Sequence, residues 1–226
     1  MHNTTTMPEL SSLLENDGKI AVIGAGGIGS YFCRTLNKLI EGTQLNIDRE
    51  QVTVFDFDIV SQSNLKHQDY LPEELNIPKS MIMGLRYNFH CECKRFEGDN
   101  LNNFVMYVIC ADNQKVRDLI FNSVSLANSK HKACNSNDKF ARYFVDMRSE
   151  GDMTAVFTQK APIEVLSTSL GADKTSEIGT SCQTMEDRMA GKIQLGNFAV
   201  AITGAQVLLK MYRNEDYPAK LIRGVI

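Results

Sequence analysis

Six consecutive residues, Gly24-Ala25-Gly26-Gly27-Ile28-Gly29, sit between two different hydrophobic patterns and constrain this chain more than any other feature. Before them, residues 19–23 read as a short buried strand. After them, Ile28, Phe32, Leu36 and Leu39 recur at helical spacing over residues 27–40. Glycines permit a tight turn and a close backbone approach to a phosphate chain. The following helix start offers N–H groups and a partial positive charge. A polar connection over 41–50 leads to a second strand at 51–55. This order predicts a parallel βαβ unit in a Rossmann-like α/β fold, a mostly parallel sheet flanked by helices. By itself the glycine run suits NAD, FAD or ATP equally.

Residues 1–18 read as a leader with a helix over 8–15, and 56–74 as irregular. A helix is predicted over 79–89, with Pro78 at or just before its start. Strands follow at 91–96 and 104–110, then a helix over 113–128 and a fifth strand at 132–135. Beyond these, strands at 140–147 and 154–158 pair across Glu150-Gly151-Asp152, giving an antiparallel extension in the C-terminal part. Residues 159–182, rich in Ser, Thr, Gly and Pro, read as a crossing loop, and 191–213 as a long apolar helix. The expected organisation is one unit over 1–226, with a nucleotide-binding core at 19–135 and the strand pair, crossing loop and closing helix at 136–226. In that helix Phe198, Val200, Ile202, Val207 and Leu208 cannot share one narrow face. It is therefore either central or packed on a second subunit.

The 226 residues are 43% hydrophobic, enough for a substantial core. A net charge of −3 supplies no basic stripe for nucleic acid or an anionic membrane, so neither is an expected partner. No run of about 18 apolar residues occurs, and the polar start lacks a signal-peptide pattern. The expected location is cytoplasmic. The six cysteines are irregularly spaced and form no C-x-x-C; Cys91-Glu92-Cys93 alternates along a strand. Neither a disulfide framework nor a zinc site is expected.

The second strand runs into Phe55-Asp56-Phe57-Asp58-Ile59-Val60. A carboxylate here can accept hydrogen bonds from ribose hydroxyls. Where an ordinary dinucleotide fold turns into a helix, this chain has the polar run Ser61-Gln62-Ser63-Asn64-Leu65-Lys66-His67-Gln68. Lys79 and Cys110-Ala111-Asp112-Asn113 follow in order. Together these motifs resemble the ThiF/MoeB/HesA family, adenylyltransferases related to ubiquitin-activating enzymes, over roughly residues 19–128 and more loosely to the end.

The resemblance implies ATP and Mg²⁺ as cofactors. It places Gly24, Gly26, Gly27 and Gly29 in the nucleotide loop, with Gly26 and Gly27 against the phosphates. Asp56 would hold the ribose, while Asp58 would support the loop and assist the metal. Asn64 would reach the phosphate region, with Lys66, His67 and Gln68 beside it. Lys79 would bridge phosphate oxygens, Asp112 would bind Mg²⁺, and Asn113 would shape the pocket. Attack of a carboxylate on the α-phosphate brings two anions together, so positive charge is needed there. Read without the resemblance, Lys79 is equally a solvated helix-start lysine, and Asp112 a helix N-cap.

The pattern departs from the family at His67, where the family has arginine. Residues 1–33 also contain no arginine, although the family takes one from an N-terminal helix of the partner subunit. Lys66 or a protonated His67 are the substitutes in sequence; Lys lacks the guanidinium fork, and His is charged only below about pH 6.5. In the back half, Arg148-Ser149-Glu150-Gly151-Asp152 with residues 154–158 resembles the family's strand pair, and 202–210 its closing helix. Cys182 lies in the crossing loop, where some family members carry a cysteine that accepts the activated acyl group; the alternative is a small, partly buried thiol. Cys33 and Cys110 read as core residues, and Asp146 with Arg148 as an ion pair or a contact for a substrate tail.

The function so implied is activation of the C-terminal carboxylate of a ubiquitin-like or sulfur-carrier protein as an acyl-adenylate, by a homodimer. Other readings are a peptide or modified-nucleoside carboxylate as acceptor, a non-catalytic nucleotide-binding subunit of a larger complex, and an NAD-dependent oxidoreductase.

Overall fold

The computed structural model describes residues 7–133, 141–150, 153–166 and 195–224. Strands β1 (Ile20–Ile23) and β2 (Val52–Phe55) are buried at every position. So is β4 (Met106–Ile109), which follows the short β3 (His90–Glu92). Strands apolar on both faces must be covered on both, the usual condition of a parallel sheet between helices. With β5 (Tyr143–Glu150), β6 (Met153–Thr158) and β7 (Lys220–Gly224) they form one sheet in the order β3-β2-β1-β4-β5-β6-β7. The first five strands run parallel. β6 and β7 are antiparallel additions. The expected α/β fold with an antiparallel C-terminal extension is therefore present.

The pleat divides the core in two. Val22, Val54 and Val108 face one side, with Ile28, Phe32 and Leu36 of α2 (Gly27–Glu41) and Leu10 and Leu14 of α1 (Leu10–Glu15). Ile82 and Met83 of α3 (Lys79–Tyr87) join that layer. Ile23, Phe55, Tyr107 and Ile109 face the other side, with Ile120, Phe121 and Val124 of α4 (Gln114–Ala133). A helical turn, α5 (Ile163–Leu166), interrupts the stretch expected to be loop.

The long helix α6 (Leu195–Tyr212) lies against α2, β5 and β6. A Cβ at Gly204 would crowd the Sδ of Met147, so the helix rests closely on β5 and a larger residue there would force Met147 to move. Its several apolar faces are thus accounted for by a central position in this chain. Leu195 and Phe198 stay exposed.

Three elements differ from the sequence expectation. Residues 132 and 133 are helical, not strand: α4 continues through Ala133, and Lys130 and Lys132 in its last turn suit the negative end of the helix dipole. The fifth strand is β5 instead. The third strand stops at Glu92, short of 96. β7 carried no sequence signal, because its mostly exposed residues are held by pairing with β6. The crossing loop beyond residue 166, and Cys182 with it, lies outside the described residues. No described helix is long and apolar enough to cross a membrane.

Replacing Gly204 by valine should force Met147 and α6 apart. The overpacking should cost about 1–3 kcal/mol in urea unfolding, and Gly204→Ala should cost less.

Candidate functional site

The strand order reverses beside β1: its crossover leads to β2 on one side, while β4 lies on the other. The carboxyl ends of strands at such a reversal leave a crevice in which ligands bind. A cavity of about 610 Å³ occupies that place, lined from the ends of β1, β2, β3 and β4. Its size is that of a small-molecule site.

The glycine turn is built for two different reasons. Gly24 has φ +92°, and a Cβ there would stand 3.0 Å from the amide nitrogen of Ala111. Gly26 faces open space in the cavity wall, whereas a Cβ on Gly27 would meet the Nδ2 of the buried Asn197 at 2.3 Å. Gly29 does not line the cavity; a Cβ there would strike the carbonyl oxygen of Gly24, so it serves helix–turn packing. The start of α2 has no side-chain cap and no acidic residue in its first turn. First-turn amides lack intrahelical acceptors, so this end of the helix favours an anion.

Asp56 fastens that turn to β2. The Ala25 N–H donates to its Oδ2 at 2.6 Å, and the Asp58 N–H to its Oδ1 at 2.8 Å. Burial pushes the Asp56 pKa up, outweighing these two donors and the nearby Lys79 charge. Each oxygen keeps a lone pair that can accept a further hydroxyl.

Beyond Asp56 the chain doubles back on itself. The Val60 N–H donates to Ile77 O, the Asn76 N–H to Val60 O and the Lys79 N–H to Asp58 O, each at 2.9 Å. This backbone clasp sets Lys79 in the first turn of α3 facing the cavity, only 5% exposed. Its Nζ lies 3.1 Å from Asp58 Oδ2, whose side chain is half exposed. Lys79 is therefore not a solvated helix-start lysine. The intervening loop is pinned by the Tyr70 hydroxyl on Ala25 O (2.5 Å) and by Arg86, which grips Glu74 and Asp69 O. Asn64, His67 and Gln68 line the cavity; Lys66 is exposed and does not. The buried Oε1 of Gln68 has no hydrogen-bond partner among the described residues.

At the end of β4, Asn113 caps α4 by accepting the Lys115 N–H at 2.9 Å. The capping role considered for Asp112 thus belongs to its neighbour, and Asp112 is exposed at the cavity wall. Mg²⁺ commonly takes one or two protein carboxylates and completes its octahedron with phosphate oxygens and water. The exposed Asp112 carboxylate beside an anion cradle fits a magnesium–nucleotide complex. Among the described residues no group of three or more His, Cys, Asp and Glu could hold a metal alone.

The loop carrying Asp112 is braced from below. Fully buried Asp146 accepts from Arg117 Nε at 3.1 Å and Arg148 Nε at 2.7 Å. Arg117 also donates to Ala111 O (2.7 Å), and Arg148 to Leu166 O (2.6 Å). Asp146 and Arg148 are therefore an ion pair inside the fold. Burial raises the thiol pKa values of Cys33 and Cys110, keeping both protonated as core residues do.

Phe57, Lys94, Arg95, Phe96 and Asn197 also line the cavity and were not singled out in sequence. The first is an ordinary apolar residue between two aspartates. The next three were assigned to a strand that ends before them, and Asn197 arrives from a helix far along the chain. The adjacent basic pair Lys94-Arg95 after a short strand was the only available signal.

No family model matches the sequence, and no curated protein matches it. Solved structures do match. E. coli MccB with MccA-N7isoASN aligns at 11% identity and a TM-score of 0.58, covering 94% of this chain and 64% of that one. PaaA aligns at 15% identity and 0.57, covering 92% and 60%. MccB with AMPCPP and MccA aligns at 12% identity and 0.56, again covering 92% and 60%. This chain therefore spans 60–64% of the length of these proteins. At such identities the shared property is the fold.

Two measurements check the site. Asp146→Ala would leave two arginines buried without their carboxylate, and should lower unfolding free energy by about 3–5 kcal/mol. Asp56 binds its proton more tightly when folded than when unfolded. Its stabilising contribution is therefore complete below the ordinary aspartate pKa of 3.8 and is lost as pH rises through the raised value. Relative to Asp56→Asn, the wild type should lose stability between about pH 4 and about pH 7, read by urea unfolding at both.

Proposed function

We propose that this chain is an ATP-dependent adenylyltransferase that activates the C-terminal carboxylate of a peptide or protein tail as an acyl-adenylate. The observation that carries this reading is the convergence on one cavity of the uncapped α2 start, the nearly buried Lys79 and the exposed Asp112. The motif resemblance to the ThiF/MoeB/HesA family supports it. So do the neighbouring structures of MccB, one of them with MccA and AMPCPP, an ATP analogue.

In the reaction, a carboxylate oxygen attacks the α-phosphorus. The bond to the oxygen bridging the β-phosphate breaks, and pyrophosphate leaves with the electron pair. Charge develops on the phosphate oxygens while a second anion approaches, so fixed donors and positive charge lower the barrier. The α2 amides and the Lys79 ammonium supply these. Asp58 holds Lys79 in place until phosphate oxygens share it. Asp112 would hold Mg²⁺, which when bound withdraws charge from the phosphates. Asp56 would accept from the ribose hydroxyls. A hydride-transfer reaction with NAD would leave Lys79 and Asp112 without a task.

A cavity of about 610 Å³ that holds a nucleotide admits an extended tail but not a folded body. The acceptor is accordingly the flexible end of a ubiquitin-like or sulfur-carrier protein, or a short peptide. A homodimer in the cytoplasm remains part of the proposal. A second reading, a nucleotide-binding subunit without chemistry, is favoured by one observation: His67 lines the cavity where the family has arginine, and Lys66 stays outside it.

Pyrophosphate exchange into ATP, dependent on a candidate carrier protein, tests the proposal. Asp112→Ala and Lys79→Ala should each reduce exchange by about 10²–10³-fold. Unchanged exchange in Asp112→Ala would remove the assigned metal role. ATP binding without exchange on any acceptor would favour the second reading.

A further inference from the structure

The geometry points to Arg95 as the residue that recognises the nucleotide base, by stacking its guanidinium plane on a purine ring. This inference rests on the nucleotide site proposed above and adds a specificity determinant to it. In a nucleoside triphosphate the ribose lies between phosphates and base. With phosphates on the α2 start and ribose on Asp56, the base falls on the side of Asp56 away from the glycine turn. There the cavity wall is formed by Phe57, Arg95 and Phe96. Phe57 lines the cavity and is 54% exposed, a large apolar surface left open. Arg95 lies over it, with Cζ 4.1 Å from the ring centroid.

The neighbouring Lys94 is paired to Glu92 at 3.2 Å, whereas Arg95 has no carboxylate partner among the described residues. A guanidinium held on one face by an aromatic ring is fixed in plane and offers its other face to a second ring. Purines, with two fused rings, gain more from such stacking than pyrimidines. The cation therefore favours a purine by its plane as well as its charge.

The test compares ATP with UTP, which carry the same triphosphate and different bases, in displacement titrations of the full chain. Wild type should prefer ATP. Arg95→Ala should weaken ATP about tenfold and UTP much less, narrowing the preference. Arg95→Lys, which keeps the charge without the plane, should resemble Arg95→Ala. Equal weakening of ATP and UTP would place Arg95 on the phosphates and overturn the inference, as would an unchanged ATP affinity. A wild type that binds ATP and UTP equally overturns the inference alone. A wild type that binds neither overturns the nucleotide site itself.

Discussion

The carboxylate of Asp56 is the fastening on which the site depends. It draws two backbone N–H groups, from Ala25 and Asp58, onto one side chain at the end of β2. One bond sets the turn that points the α2 amides at the cavity. The other sets the direction in which the chain leaves β2, and so where the clasp with residues 76–79 forms. Glycine turn and lysine are in this way oriented by the same group. Burial disfavours its charge, and the two donors compensate only in part. The strain is local and electrostatic, which is common where a fold holds a binding site.

Charge across the cavity is arranged asymmetrically. The α2 start and Lys79 offer positive character on one wall, and Asp112 offers a carboxylate on another. An anion alone would be repelled by Asp112. Under the proposed function, a nucleotide with a divalent ion would suit both walls together, Asp112 holding the ion and Lys79 with the α2 start holding the phosphates. The half-exposed Asp58 beside Lys79 keeps a nearly buried ammonium from standing without a counter-charge.

Below the cavity, two features hold the loop of Asp112 and the glycine turn at fixed separation. Arg117 joins Ala111 O to Asp146, and Gly24 lets the β1 turn pass close to the Ala111 amide. α6 closes the other flank, where the Asn197 amide occupies the space a side chain on Gly27 would need. A side chain on Gly27 would thus displace the Asn197 amide as well as hinder any close approach of a phosphate. The motif alone attributes the glycine to the second cause only.

Much of this was legible in sequence. The strand–glycine–helix order, the paired aspartates after β2, Lys79 at a helix start and Asp112 after β4 are local patterns, and local patterns follow from backbone sterics and hydrophobic period. They predicted the α/β fold and singled out Gly26, Gly27, Asp56, Lys79 and Asp112, which line one cavity. Tertiary structure alone decided what depends on where a strand stops or on which distant segments meet. β3 ends at Glu92, releasing Arg95 to lie on Phe57; α4 runs through residues 132 and 133, so the strand expected at 140–147 becomes the fifth; and Asn197 reaches Gly27 across the chain. Burial of one face and the pairing of remote strands set these positions, and neither is encoded in any short window of residues.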